Sequence, residues 1–245
     1  MVRRADPTKK RHIEATAVKI SEIFHSIQGE GKLAGVPSVF VRTSGCNLRC
    51  VWCDSPYTSW SPEGEEMTVE GIVERVRAFS CGHVVLTGGE PMAAEGVEKL
   101  TRRLRDAGLH LTIETAGTVW KDVVCDLASV SPKLANSTPW SREGGRFAEA
   151  HEKNRIHVET IRRCMGLDDY QLKFVVDAPR DVEEIDELLS QIGGCKPSNV
   201  LLMPQGVTDA ELSARGRWVA ELCKQRGFRY CPRLHIALYG NTRGT

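Results

Sequence analysis

Nowhere in the 245 residues does an apolar run approach the roughly 18 that a membrane-spanning helix needs. The opening segment MVRRADPTKKRHIEA also lacks the apolar centre of a secretory signal, so the expected location is cytoplasmic. An excess of one charge sign is missing as well. With 33 Lys and Arg against 32 Asp and Glu, the formal charge of +1 gives no electrostatic case for direct nucleic-acid binding, although the first dozen residues are locally basic. Residues 1–15 read as a basic, flexible tail. Residues 16–245 read as a single domain, because the length suits one sizeable core and no linker-like stretch divides it.

Paired cysteine spacing is largely absent too. Of the nine cysteines, Cys81, Cys125, Cys164, Cys195, Cys223 and Cys231 are scattered singly, and an odd total of this kind is not a secreted disulfide framework. In a reducing compartment these six read as small buried apolar residues. Cys46, Cys50 and Cys53 are different, because they crowd into GCNLRCVWCDS with the spacing C-x3-C-x2-C. A zinc knuckle would want a nearby fourth Cys or His, and neither follows at a ligand spacing. Three thiolates on one loop suit three corners of a cubane iron–sulfur cluster, which leaves one iron open to another ligand.

The rest of the chain alternates strand and helix signals. VKISEIF reads as a short strand running into the Gly-rich turn SIQGEG, and SVFVRTSG as a β-branched strand that ends just before Cys46. In TVEGIVERVRAF, Val69, Ile72, Val73, Val76 and Phe79 recur at helical spacing behind the N-cap candidate Thr68. HVVLTGGEP follows as a strand ending in a glycine pair, then a helix with Ala94, Val97, Leu100 and Leu104 on one face, then the strand LHLTIET. VVCDLASVSPK, YQLKFVV and NVLLMPQG supply further strands, with helices over DVEEIDELLSQI and from about Thr208 to Arg226. About six βα units with continuously apolar strands predict a parallel sheet covered by helices. Six is short of the eight of a closed barrel, so the expected fold is an α/β open partial (β/α)6 barrel with its site at the C-terminal strand ends. A polar insertion from about residue 135 to 165, around Trp140, has no periodicity that chooses between lid, dimer contact and disorder.

The cysteine trio, with Trp52 before its third member and GGEP closing the next strand, resembles the radical S-adenosylmethionine superfamily. The resemblance implies that the open iron of a [4Fe-4S] cluster chelates S-adenosyl-L-methionine and reduces it to a 5'-deoxyadenosyl radical. It further implies that Trp52, Cys53, Asp54, Gly89, Ser131, Pro132, Lys133, Met203, Pro204, Gln205 and Gly206 lie against that cofactor. EIFHSIQGEG, FVRTSGCNLRCVWCDS, TGGEP, ETAGT, SPK and PRLHIALYGNTRG, taken in order, are similar to the 7-carboxy-7-deazaguanine synthase family of 7-deazapurine and queuosine biosynthesis. That narrower resemblance implies conversion of 6-carboxy-5,6,7,8-tetrahydropterin to 7-carboxy-7-deazaguanine with loss of ammonia, aided by Mg2+. It also implies a homodimer and a flavodoxin or ferredoxin as reductant.

The residues make chemical sense of such a substrate. Ile27, Gln28 and Gly29 form a turn whose backbone groups suit the 2-amino-pyrimidinone edge of a pterin, with Glu30 beside it. Arg42 suits a bidentate clamp on the substrate carboxylate. The Ser55 hydroxyl is placed to join water around Mg2+, a hard ion that seldom uses an all-protein cage. Thr87 and His235 are further substrate contacts by location, and Glu114 at a strand end is the candidate base. Two other readings compete. A glycyl-radical-enzyme activase shares the cysteine trio and the partial barrel. An iron–sulfur electron carrier or redox sensor would leave GGEP and SPK without a role and would close its cluster with a fourth protein ligand.

Overall fold

Strand β1 (Ala17–Ile27) runs antiparallel to β2 (Pro37–Thr43), with Phe24 opposite Phe40 and Ile27 opposite Pro37. The structure, a computed structural model, describes residues 16–245, so the expected tail, with His12, lies outside the described residues. After β2 the chain enters the cysteine loop, makes a single helical turn α1 (Pro56–Ser59), and returns along β1 as the short strand β3 (Glu65–Thr68). Helix α2 (Val69–Arg77) starts where expected, the Thr68 side chain accepting the Gly71 N–H at 3.1 Å.

Parallel strands β4 (His83–Gly88), β5 (His110–Thr115), β6 (Leu127–Val130), β7 (Tyr170–Val176) and β8 (Val200–Pro204) then add in sequence order, and the two-residue β9 (Arg229–Tyr230) closes the series. The sheet order is β3-β1-β2-β4-β5-β6-β7-β8-β9, with the two ends unpaired, so the barrel is open as expected. Crossovers are α3 (Val97–Asp106) after β4, α4 (Ala148–Asn154) and α5 (Val158–Met165) after β6, α6 (Asp181–Ile192) after β7, and α7 (Asp209–Arg226) after β8. The last helix, α8 (Leu234–Tyr239), follows β9. Thr208 and Glu211 form a reciprocal capping box at the head of α7.

Several sequence expectations need correction. One βα unit lacks its helix: β5 passes to β6 through an irregular stretch, in which Val123 and Cys125 are buried in the core and Asp126 accepts the Leu111 N–H at 2.7 Å. Buried side chains and a carboxylate anchor, rather than a helical stripe, fix that connection. Ala94 lies outside α3, which starts only at Val97. Of the six scattered cysteines, Cys125, Cys164, Cys223 and Cys231 are buried, but Cys81 and Cys195 are half exposed.

The parallel strands are also less uniformly apolar than expected. Val39, Val41, Val84, Leu86, Leu111, Ile113, Leu172, Phe174, Val176, Val200 and Leu202 face the helices and form the main core with Ile72, Val76, Leu100, Leu104, Ile161 and Ile185. Alternate positions belong to the concave face, and there the sequence mixes Val175, Leu201 and Met203 with Arg42, Thr87, Glu114 and Lys173. The period of two thus separates a dry core from a polar cavity within the same strands.

Candidate active site

A cavity of about 460 Å³ opens at the C-terminal ends of the parallel strands. One wall is the cysteine loop. The Cys46, Cys50 and Cys53 thiols line it, with Leu48, Ala116 and Trp52 packed round them as a small apolar cluster. The loop is stitched to the next strand end: Gly45 N–H donates to Thr58 O (2.9 Å), Gly89 N–H to Thr43 O (3.2 Å) and Glu90 N–H to Gly45 O (2.9 Å). Gly89 is required here by close approach, since a Cβ at that position would stand 1.9 Å from Gly45 O. Glu90 is buried and works as a bracket. It accepts Met92 N–H (3.0 Å), Thr115 O–H (2.7 Å) and Ala116 N–H (2.8 Å), which ties the GGEP turn to the end of β5.

Burial pushes the Cys46 thiol up to about 11 and the Cys50 thiol up to about 12, with the Lys133 ammonium nearby acting in the opposite sense. Such thiols are inert as acids and would ionise only if a metal took the place of the proton. Among the described residues no three His, Cys, Asp or Glu side chains converge on a single-ion centre. A cluster, whose irons occupy separate corners, takes ligands that stand farther apart than those round one tetrahedral zinc. Three clustered thiols set among the apolar side chains of Leu48, Trp52 and Ala116, with a lysine nearby, fit an iron–sulfur cluster.

The cavity also carries a chain of charged side chains, most of it buried. Glu30 pairs with Lys173 and, at 3.0 Å, with Arg233 Nε; Arg233 also donates to Asp54 and, at 2.6 Å, to Gly206 O. Burial alone would raise the Glu30 pKa, but the Lys173 and Arg233 cations outweigh it and hold the carboxyl well below the usual range. Asp54 is likewise held low, the Arg233 cation outweighing the partial desolvation of its carboxyl. His235 is kept neutral chiefly by burial. Its ring lies directly on the Gly29 turn, where a Cβ would stand 1.9 Å from Nδ1.

Glu114 uses both oxygens, Oε1 accepting Gln28 Nε2 (3.0 Å) and Oε2 accepting Thr87 O–H (2.8 Å). Arg42 gives its Nε to Glu22 (2.7 Å), and Glu22 also accepts the Tyr57 O–H (2.8 Å) and Arg243 Nε (3.1 Å). Arg243 stacks over the Tyr57 ring at 4.0 Å and brings residues 241–245 to the cavity rim.

Of the residues singled out from sequence, Ile27, Gln28, Gly29, Glu30, Arg42, Trp52, Asp54, Ser55, Thr87, Gly89, Glu114, Ser131, Lys133, Met203 and His235 line the same cavity as the three cysteines. Pro132, Pro204, Gln205 and Gly206 do not line it; Gly206 meets the site only through its carbonyl on Arg233. Lys173, Arg233 and the rim residues Tyr57 and Arg243 were not anticipated. Lys173 had a signal, as the one charge inside the apolar strand YQLKFVV.

A cavity at the strand ends of an open βα barrel, with three thiols on the first loop, defines a radical S-adenosylmethionine enzyme, and the Radical SAM superfamily pattern matches residues 40–136. Across the whole chain the similarity is narrower. A 7-carboxy-7-deazaguanine synthase of Halobacterium salinarum is 48% identical over 242 residues, covering 95% of this chain and 94% of the relative. One of Rhodopirellula baltica is 46% identical over 231 residues, covering 94% and 90%. The crystal structure of QueE from Escherichia coli superposes with a TM-score of 0.68 at 27% identity, covering 89% of this chain and 95% of that one. The chain belongs to the 7-carboxy-7-deazaguanine synthase family, a family of radical SAM lyases that use a [4Fe-4S] cluster and S-adenosyl-L-methionine.

Proposed function

We propose that this chain contracts 6-carboxy-5,6,7,8-tetrahydropterin to 7-carboxy-7-deazaguanine and releases ammonia. The observation that carries the reading is one cavity lined both by the three thiols for the cluster and by carboxylates, an amide and arginines suited to a pterin acid. When bound, the cluster and S-adenosyl-L-methionine supply a carbon radical able to abstract hydrogen from C6 of the substrate.

The chain's own residues do the placing. Cys46, Cys50 and Cys53 hold the cluster, and Trp52, Asp54, Gly89, Ser131, Lys133 and Met203 form the bed for the cofactor, with Pro132, Pro204, Gln205 and Gly206 supporting it from behind. The Ile27–Gly29 turn with Glu30, Thr87 and His235 receives the flat ring. Arg42, steadied through Nε by Glu22, keeps its two Nη groups for the substrate carboxylate. Ser55, buried at the cavity wall, is the residue that would offer a hydroxyl to Mg2+, a hard cation that would supply positive charge beside the substrate oxygens. Glu114, aimed by Gln28 and Thr87, takes the ring proton lost after contraction.

A homodimer and a flavodoxin or ferredoxin as electron donor complete the proposal, together with residues 16–245 acting as one domain. A cytoplasmic setting is supported by nine free cysteines, and among the described residues no helix is long and apolar enough to cross a membrane. Anaerobically reconstituted protein, given S-adenosyl-L-methionine, reductant, Mg2+ and the carboxytetrahydropterin, should yield the deazaguanine acid by mass spectrometry without stoichiometric 5'-deoxyadenosine. If 5'-deoxyadenosine accumulates while the pterin survives, the substrate is wrong and the activase reading moves to the front.

A further inference from the structure

Residues 134–155, which include the first part of the 135–165 stretch whose role sequence left open, carry none of the cavity-lining side chains, yet they grip the cysteine loop from outside. Val51 N–H donates to Ser137 O (2.8 Å), Trp52 Nε1 to Asn136 O (3.0 Å) and Arg142 Nη1 to Val51 O (3.2 Å). On the far side Arg155 Nη1 donates to Lys133 O (3.0 Å). The central contact is His151 on α4, only 2% exposed, whose Nδ1 accepts the Arg49 N–H at 3.0 Å. Its Nε2 stands 2.9 Å from Ser137 Oγ, and that hydroxyl already donates to Leu134 O at 2.6 Å. Ser137 must therefore accept from Nε2–H, which leaves the Nδ1 lone pair for Arg49.

Arg49 lies between Cys46 and Cys50, and the backbone N–H groups around it point in opposite directions. Leu48 N–H turns inward to Cys46 Sγ at 3.4 Å, whereas the Arg49 and Val51 N–H groups are held outward by His151 and Ser137. Backbone N–H groups that face cluster sulfurs stabilise the more negative, reduced state, so their number tunes the reduction potential.

We propose that His151 is a positioning residue for the cluster: by holding the Arg49 N–H outward it limits the N–H groups that face the cysteine sulfurs and so keeps the reduction potential low. The proposal rests on the reading that Cys46, Cys50 and Cys53 hold the cluster.

The test compares anaerobically reconstituted full-length wild type with His151→Asn, His151→Gln and His151→Leu, reading iron content, the potential by spectroelectrochemical titration and the EPR signal of the reduced cluster. Asn keeps an acceptor near the Nδ1 position, so it should match wild type. Leu frees the Arg49 N–H and should raise the potential and alter the EPR signal. The longer Gln reaches toward Ser137 rather than Arg49 and should behave like Leu. Wild-type potential and EPR in an iron-replete Leu variant would overturn the proposal. So would an Asn variant displaced as far as Leu, because ring bulk rather than the acceptor would then matter. If the Leu variant does not fold, Asn against Gln decides, and equal potentials overturn the proposal. Wild type that retains no iron after reconstitution would overturn the cluster reading itself, and the proposal with it.

Discussion

Replacing Lys173 with Met removes one cation from a run of four charges, three of them largely buried, in which Glu30 stands between Lys173 and Arg233, and Arg233 reaches on to the more exposed Asp54. The Lys173 and Glu30 side chains are only 9% and 13% exposed, so water cannot replace the lost partner cheaply. Stripping one member from a buried pair costs about 3–5 kcal/mol, because the remaining charge is left uncompensated. Glu30 keeps Arg233 at 3.0 Å, which puts the expected loss at the lower end, about 3 kcal/mol. At roughly 2–4 °C per kcal/mol for a chain of this size, Lys173→Met should lower Tm by about 6–12 °C in a thermal melt of the reduced, cluster-free protein. Adding Glu30→Gln leaves Arg233 paired with Asp54 and should recover at least half of the loss. The pH dependence has a definite sign. Glu30 has a folded pKa far below its ordinary 4.5, so the unfolded chain takes up the proton first, and its stabilisation is complete above about 4.5 and drains away as pH falls below it. Lys173→Met raises the Glu30 pKa and should shrink that acid loss. A Tm change under about 2 °C, or a double variant no more stable than the single one, would refute a buried ionic wall.

Gly89→Ala drives a Cβ to 1.9 Å from Gly45 O and 2.8 Å from Thr58 O, backbone atoms that cannot swing aside; iron retention after reconstitution should collapse and Tm should fall by the equivalent of about 3 kcal/mol. Arg42→Lys loses the planar fork, and steady-state kinetics should show KM for the pterin acid rising about tenfold with kcat less affected. Burial holds the His151 pKa at about 4 against an ordinary 6.5, so the unfolded chain gains its proton first and wild type loses stability as pH falls from 6.5 toward 4. His151→Asn, with nothing to titrate there, should flatten denaturant-measured stability across that window.

What could be read in the sequence was what neighbours in the chain decide. The cysteine trio occupies eight consecutive positions, and helix α2 declares itself by stripe and cap, α6 by its apolar stripe and α7 by its capping box, so the open barrel and the thiol wall were both legible. Glu30, Asp54 and His235 were named from sequence as well, but the pairing of the two carboxylates with Lys173 and Arg233 was not, because those partners are brought together only by the order of strands in the sheet. Lys173 and Glu30 are 143 residues apart, and Lys173 reads as an interruption in an apolar strand until β7 is seen to turn it inward beneath the Gly29 turn. His151 and Arg49 are 102 residues apart, and nothing around EAHEKN distinguishes a loop-anchoring histidine from a surface one. The two contacts have a common physical origin. A parallel sheet delivers every strand end to one rim, so polar groups from remote segments must satisfy one another there or remain buried without partners. The same demand explains why Glu114, the proposed base, is aimed by Gln28 from the first strand turn and Thr87 from β4. A base held from two directions keeps its position while the substrate ring changes shape, which a solvent-exposed carboxylate on a free loop would not do.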